Sequence, residues 1–304
     1  MTDKVVFLFG PTAVGKTALL FNVFSSGFEV INCDSVQVYR HLDIGSAKAT
    51  AEEMRRVPHH LIDIRDPWED FSVGDFLQLA DEKVKEIESR GNVPVLCGGT
   101  AYYFKHFLYG LSKSPKSDPV IRDRVRELLA SNGPQWCHDE LMKMDPISGV
   151  RIHPNDTYRT TRALEVCLSG QGRLSDFAVP STVRNGMKVL CLGLKRPKEE
   201  IDRRIRMRVD QMFDQGLVDE IRGLVSMGAD DQWPGMKAIG YQEFIEGMST
   251  GELDMRAIKE KIVINSIHYA KRQKVFFQSF SAVDWVNPAE EDLIRQKVSA
   301  FLNE

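Results

Sequence analysis

The strongest chemical signal lies near the N-terminus, in Gly10-Pro11-Thr12-Ala13-Val14-Gly15-Lys16-Thr17. This is the spacing G-x-x-x-x-G-K-[ST], in which glycines let the backbone curl until its N–H groups point at phosphate oxygens. Lys16 adds a full positive charge, Thr17 offers a hydroxyl to Mg²⁺, and a helix opening here turns its positive dipole end toward the same anion. The chemistry is polyphosphate binding, and nothing in the loop selects a nucleotide over another diphosphate. The alternative is a plain glycine-rich turn, against which stands the motif's position between a predicted strand and a predicted helix.

Other chemistry-bearing residues are less specific. Asp34 ends the second predicted strand, where ligands of open α/β sheets bind, yet Asp34-Ser35 would serve equally as a turn cap. Asp63 offers an acidic metal-site residue or a carboxylate within the core hydrogen-bond network, and the second reading is preferred. Gly98-Gly99-Thr100 follows a strand and opens a helix, so it presents either further N–H groups and a hydroxyl to the pocket or a tight turn. Arg203, Arg204, Arg206 and Arg208 share one predicted helix, with Arg204 and Arg208 four apart on one face; a solvated basic face is the competing reading. Lys271-Arg272 and Lys274 form a second basic patch. His59, His60 and His153 lack metal-ligand spacing and read as turn or packing residues.

These groups need a scaffold that brings strand ends together. Residues 4–9, 28–32, 93–97, 187–194 and 283–286 read as strands, with a shorter one at 61–64. Ser72 caps a helix carrying Phe76, Ala80, Val84 and Ile87 on one face and ending at Gly91. Alternating strands and helices predict an α/β fold, a P-loop parallel sheet flanked by helices on both faces. Between Ser114 and Val183 helices appear without a convincing strand. The expected organisation is therefore a catalytic core of residues 1–114 and 186–304 with an all-helical insertion domain at 115–185. Helices dominate after Pro197, including a long one from about Asp254 to Ser279.

The 304 residues suffice for a core without disulfides or a structural metal. Five scattered cysteines without a CxxC pair exclude a disulfide framework and a zinc site, and point to a reducing cytoplasm. With a net charge of -3, any polyanion must be met by local basic patches. No apolar run reaches the length of a membrane span, and no strong interface signal stands out, so a monomer is expected.

Several segments together resemble one family, the bacterial tRNA dimethylallyltransferases. They are GPTAVGKT (10–17), INCDSVQVYRHLDIGSAK (31–48), PHHLIDIRDP (58–67), FSVGDF (71–76), GGT (98–100), HPNDTYRTTRALEV (153–166), MKAIGYQEF (236–244) and AKRQ (270–273). They run through most of the chain in the family's order. The P-loop is shared with many families; the D-S-x-Q-V-Y-R, IGY and AKRQ segments are far more specific. Ala101, Tyr158 and Val275-Phe276 depart from the family's usual residues.

The resemblance implies that the loop 10–17 holds dimethylallyl diphosphate and that the acceptor is N6 of the adenosine 3′ of the anticodon. It implies Asp34 as general base, with Lys16, Mg²⁺ on Thr17, Thr100 and Arg208 neutralising the departing diphosphate. Ser35 and Gln37 are expected to hold the flipped base by its edges, with Val36 beside them. Arg122, Tyr158, Arg159, Thr160, Thr161 and Arg162 of the insertion are expected to grip the anticodon stem-loop. Three readings compete with this one: a P-loop kinase acting on a small molecule, a prenyl transfer to free adenine nucleotides, and an RNA-binding regulator with a vestigial loop.

Overall fold

The computed structural model describes residues 3–177, 180–251 and 254–304. It contains a six-stranded sheet, with all neighbouring strands parallel, in the order β3-β2-β4-β1-β5-β6. Its strands are β1 (Asp3–Phe9), β2 (Phe28–Cys33), β3 (His59–His60), β4 (Val93–Gly98), β5 (Met187–Leu194) and β6 (Val283–Val286). The sequence reading of 4–9, 28–32, 93–97, 187–194 and 283–286 agrees to within one residue at each end. The strand expected at 61–64 is absent. The pairing ends at His60, because Leu61 and Asp63 take left-handed backbone (φ 63° and 56°) that an extended ladder cannot accommodate.

β1 is apolar without alternation because both its faces are covered. Val6 and Leu8 join the core formed with Leu19, Leu20, Val95, Leu192 and Ile205. Phe7 and Phe9 point to the other face, where Phe7 meets Phe104 edge-on at 5.1 Å and Phe9 stacks on Phe277 at 4.4 Å. The helices of this unit are α1 (Lys16–Val23), α2 (Ala51–Arg56), α3 (Val73–Ser89) and α4 (Ala101–Tyr109), the last running just into the insertion. Thr50 and Ser72 start α2 and α3 with reciprocal capping boxes to Glu53 and Asp75. The insertion holds α5 (Pro119–Met144), α6 (Pro146–Arg151) and α7 (Thr157–Leu168). After it come α8 (Lys198–Asp214), α9 (Leu217–Ser226), α10 (Gln242–Thr250), α11 (Met255–Phe277) and α12 (Glu291–Asn303).

The chain divides into one unit of Met1–Leu108 with Arg184–Glu304 and a second of Tyr109–Val183. The boundaries differ from the expected 115 and 185 for a local reason. Arg184 N–H donates to the Leu108 carbonyl and its guanidinium reaches Asp81, whereas Ser112 donates to the Phe177 carbonyl within the second unit. That unit has its own small core of Val125, Cys137, Leu141, Ile152, Ala163 and Leu164. α5 is interrupted at Gly133-Pro134, where Gly133 has φ 83°.

Far from the strand tips, Glu29 of β2 is buried and accepts hydrogen bonds from Arg90, Asn92 and, through its ring nitrogen, His60. Arg90 above all, then Asn92 and His60, outweigh burial and hold the carboxyl at about 2, below its ordinary 4.5. A carboxyl depressed on folding stabilises the fold above its unfolded value and loses that contribution as pH falls toward about 2. Glu29→Gln is therefore expected to cost on the order of 2–3 kcal/mol at neutral pH and much less near the acid end of that window. Urea midpoints of both proteins across the acid range test this; a pH-independent difference would contradict it.

Candidate active site

The sheet order makes β2, β4 and β1 successive neighbours, so the segments leaving their carboxyl ends lie side by side. Those segments are Asp34-Ser35, Gly99-Thr100 and the loop 10–17. Asp34, Gly99 and the loop, together with α8 and α11, line a cavity of about 1050 Å³ that includes Thr12, Lys16, Thr17, Gln37 and Arg208, while the expected Ser35, Val36 and Thr100 stand outside its lining.

The phosphate loop is held by groups distant in sequence. Gly15 takes φ 111° just before α1, a left-handed conformation that costs a glycine little. The Ala13 carbonyl accepts from Arg204 Nε (2.7 Å) and the Val14 carbonyl from Arg196 Nε (2.8 Å). Arg208 Nη1 donates to Thr12 Oγ1 at 2.9 Å. One expected anion donor is already used, since Thr12 N–H donates to Gln273 Oε1 (2.8 Å) while the Gln273 Nε2 donates to the Gly99 carbonyl (2.8 Å). A single buried amide thus ties the loop after β1 to the loop after β4. Tyr269, one helical turn earlier, lines the cavity, and burial pushes its phenol up to about 12.

Lys16 Nζ donates to the Gly10 and Pro11 carbonyls. Burial lowers it from 10.5 to about 8, with Arg208 contributing repulsion and Cys97 and Asp34 opposing the change. Burial also lowers the Arg208 guanidinium, Asp34 again opposing. Asp34 is thus close enough to bias both cations. In the free protein Lys16 is charged below about pH 8 and loses its charge above it, whereas a bound diphosphate favours the charged form. Affinity for inorganic pyrophosphate is accordingly expected to weaken about tenfold from pH 7 to about pH 9 relative to Lys16→Arg, whose guanidinium stays charged. Calorimetric titration of both proteins reads this; parallel pH profiles would refute it.

Asp34 follows directly on β2. Its Oδ1 accepts from the N–H groups of Val36 (2.9 Å) and Gln37 (3.3 Å), and among the described residues its Oδ2 has no hydrogen-bond partner. Asp34 thus caps its turn through Oδ1 and also lines the cavity. Thr100 Oγ1 accepts from Ser35 N–H (3.0 Å) and donates to Ser35 Oγ (3.4 Å), while Thr100 N–H donates to the Cys33 carbonyl. Gln37 directs its amide N–H groups to the Ser46 and Ala47 carbonyls, both at 3.1 Å. Thr17 is exposed and lines the cavity, and no group of three or more His, Cys, Asp or Glu suited to a metal exists among the described residues. One hydroxyl suits Mg²⁺ that arrives with phosphate oxygens and keeps its waters, not an ion caged by protein.

The remaining expectations separate. Asp63 binds Lys48 Nζ at 2.5 Å as a network carboxylate, but its own side chain is exposed, which corrects the expectation of a place in the core. Arg204 and Arg208 face the loop, correcting the solvated-face reading for them, whereas Arg206 pairs outward with Glu260. His59 and His60 bond Val57 and Glu29, and His153 accepts in a turn from Asn155 N–H. In the second unit Tyr158 is 81 % exposed and Arg159 lies beside Asp156 on the surface. Thr160 is a correction: at 1 % exposure, on the buried face of α7 that also carries Ala163 and Leu164, it is closed to an RNA, and its hydroxyl has no hydrogen-bond partner among the described residues. Thr161 donates to the Tyr158 carbonyl. Arg162 pairs with Glu165 and bonds the Pro115 carbonyl, and Arg122 Nε donates to Ser117 Oγ, so these two arginines also brace the unit itself.

A parallel sheet with a G-x-x-x-x-G-K-T loop after β1, half-buried cations around that loop and a carboxylate at the next strand tip defines an α/β protein whose site is assembled at the carboxyl ends of its strands. The chain belongs to the IPP transferase family, whose description its residues 37–280 match. It is similar to the tRNA dimethylallyltransferase of Borreliella burgdorferi, with 40% identity over 96% of this chain and 94% of that one. The structure of the tRNA isopentenylpyrophosphate transferase of Bacillus halodurans superposes with a TM-score of 0.71 at 36% identity, covering 99% of this chain and 97% of that one. A eukaryotic dimethylallyltransferase acting on tRNA shares the fold, with a TM-score of 0.79 at 24% identity over 98% of this chain and 77% of that one. No helix among the described residues is long and apolar enough to cross a membrane.

Proposed function

We propose that this enzyme transfers the dimethylallyl group of dimethylallyl diphosphate to N6 of the adenosine 3′ of the anticodon in tRNA. The observation that carries the reading is the shared cavity, in which the Asp34 carboxylate faces the cationic phosphate loop. The N6 lone pair is delocalised into the purine, so the nitrogen must lose a proton as the C–N bond forms, and Asp34 Oδ2, which has no hydrogen-bond partner among the described residues, is the base we assign. The allylic C–O bond breaks in the same event, its electron pair leaving with the diphosphate. Lys16, Arg208 and the loop N–H groups meet that charge. Mg²⁺, held by Thr17 and the diphosphate oxygens, would add further charge neutralisation.

Thr100 fixes Ser35, the neighbour of Asp34, by accepting from its N–H and donating to its hydroxyl. The adenine must leave its stack to enter, which costs least in a single-stranded loop. Exposed Tyr158 and Arg159 offer the second unit a surface for the stem-loop. Mass analysis of a tRNA with adenosine beside the anticodon, after incubation with enzyme, Mg²⁺ and dimethylallyl diphosphate, tests the reading. One C5H8 unit gained per tRNA is expected. Consumption of ATP instead, or a preference for AMP over tRNA, would overturn it.

A further inference from the structure

Glu220 on α9 performs a task that the chemistry above does not explain. Its Oε2 accepts from the N–H groups of Asp43 (3.1 Å) and Ile44 (2.7 Å), and its Oε1 from Gly45 N–H (3.2 Å) and the Tyr241 hydroxyl (2.7 Å). Three successive backbone N–H groups and one phenol therefore converge on a single carboxylate. Tyr241 is fully buried, and its hydroxyl is pushed well above its ordinary value by burial and by Glu220, so it stays a donor. A Cβ at Gly45 would stand 2.6 Å from the Tyr241 ring, so only glycine lets the loop sit against it.

The loop so held carries two carbonyls into the site. Those of Ser46 and Ala47 take both N–H groups of the Gln37 amide. The amide is thereby oriented with its oxygen turned away from them, and Gln37 and Ser46 line the same cavity as Asp34. Lys48, 4 % exposed, anchors the far end of the loop through the Tyr39 carbonyl, Asp43 and Asp63.

We infer that Glu220 and Tyr241 are positioning residues for the acceptor base. Through the loop 43–47 they fix Gln37 as a pure hydrogen-bond acceptor, the polarity that suits an exocyclic amino group and opposes a carbonyl at the same place on a purine. This rests on the function proposed above, and it assigns α9 and the IGY segment a part in acceptor selection. A glutamine at 220 cannot serve, since its NH₂ would face N–H donors and leave them unsatisfied.

The test is a cycle of Glu220→Gln, Gln37→Ala and the double variant, with Tyr241→Phe as a milder break of the clamp. Transfer from dimethylallyl diphosphate to an anticodon stem-loop RNA is measured, with inorganic pyrophosphate affinity as the check on an intact phosphate loop. Glu220→Gln is expected to raise KM for the RNA about tenfold with KM for the diphosphate within about twofold, and to add less than about twofold in the Gln37→Ala background. Tyr241→Phe should show the same pattern at smaller size, and it carries the test if Glu220→Gln fails to bind pyrophosphate. A full additional loss on top of Gln37→Ala, or equal damage to both KM values, overturns the clamp while leaving the transfer reaction intact. A wild-type enzyme inert toward the RNA overturns the proposed reaction and this inference with it.

Discussion

Asp34→Ala will slow single-turnover prenyl transfer by roughly 10²–10⁴-fold, the range typical of a lost general base, while RNA affinity changes little. The two oxygens of this carboxylate have different work. Oδ1 closes the turn by accepting from the Val36 and Gln37 N–H groups, and Oδ2 has no hydrogen-bond partner among the described residues. An asparagine keeps the first role, because its carbonyl oxygen accepts the same two N–H bonds, and lacks the second, because its NH₂ cannot take a proton. Asp34→Asn must therefore be nearly as slow as Asp34→Ala although the turn is preserved. Rapid-quench assays with saturating RNA and dimethylallyl diphosphate, beside filter binding of the RNA, separate the cases. If Asp34→Asn turns over at the wild-type rate, Asp34 serves the turn alone and the proton leaves by another route.

What the sequence made legible was local. The phosphate loop, the strand before it and the helix after it are encoded within about twenty residues, by glycine spacing and an apolar run. Asp34 could be placed because a strand end is marked by the residues around it. The groups that hold the loop lie far from it in sequence. Arg196, Arg204 and Gln273 meet it across more than 180 residues of chain; Arg204 stands out as part of a basic helix face, but only folding shows what that face meets. AKRQ is a recognisable motif, yet nothing in its spacing says that Gln273 bridges two strand tips.

Two misreadings have physical causes visible in the sequence itself. Thr160 precedes Ala163 and Leu164 by three and four residues, which is the spacing of one helix face, so its burial could have been read from periodicity. Its polar neighbours Arg159, Thr161 and Arg162 obscured that face. Leu61 to Ile64 has the composition of a strand, but the ladder ends at His60 because the chain turns through left-handed Leu61 and Asp63, which brings Asp63 to Lys48 and Arg65 beside Tyr39. Apolar composition does not report that turn.

Arg208→Ala is expected to lower kcat by about 10²–10³-fold, the cost of removing a preorganised donor from a site of developing negative charge. The guanidinium is half-buried near Lys16 and spends one N–H on Thr12 Oγ1, which aims its fork at the loop. Burial disfavours its charge, and Asp34 partly offsets that. Such a cation gains most when a diphosphate builds up charge in front of it, so its loss should appear in the chemical step more than in ground-state binding. Arg208→Lys should recover only part of the rate, since an ammonium keeps the charge but cannot bond Thr12 and the diphosphate with one rigid fork. Arg206→Ala, two residues away and paired on the surface with Glu260, should behave as wild type and controls for the helix. If Arg208→Ala instead raised KM for the allylic diphosphate with kcat unchanged, Arg208 would be a binding group that treats bound substrate and transition state alike.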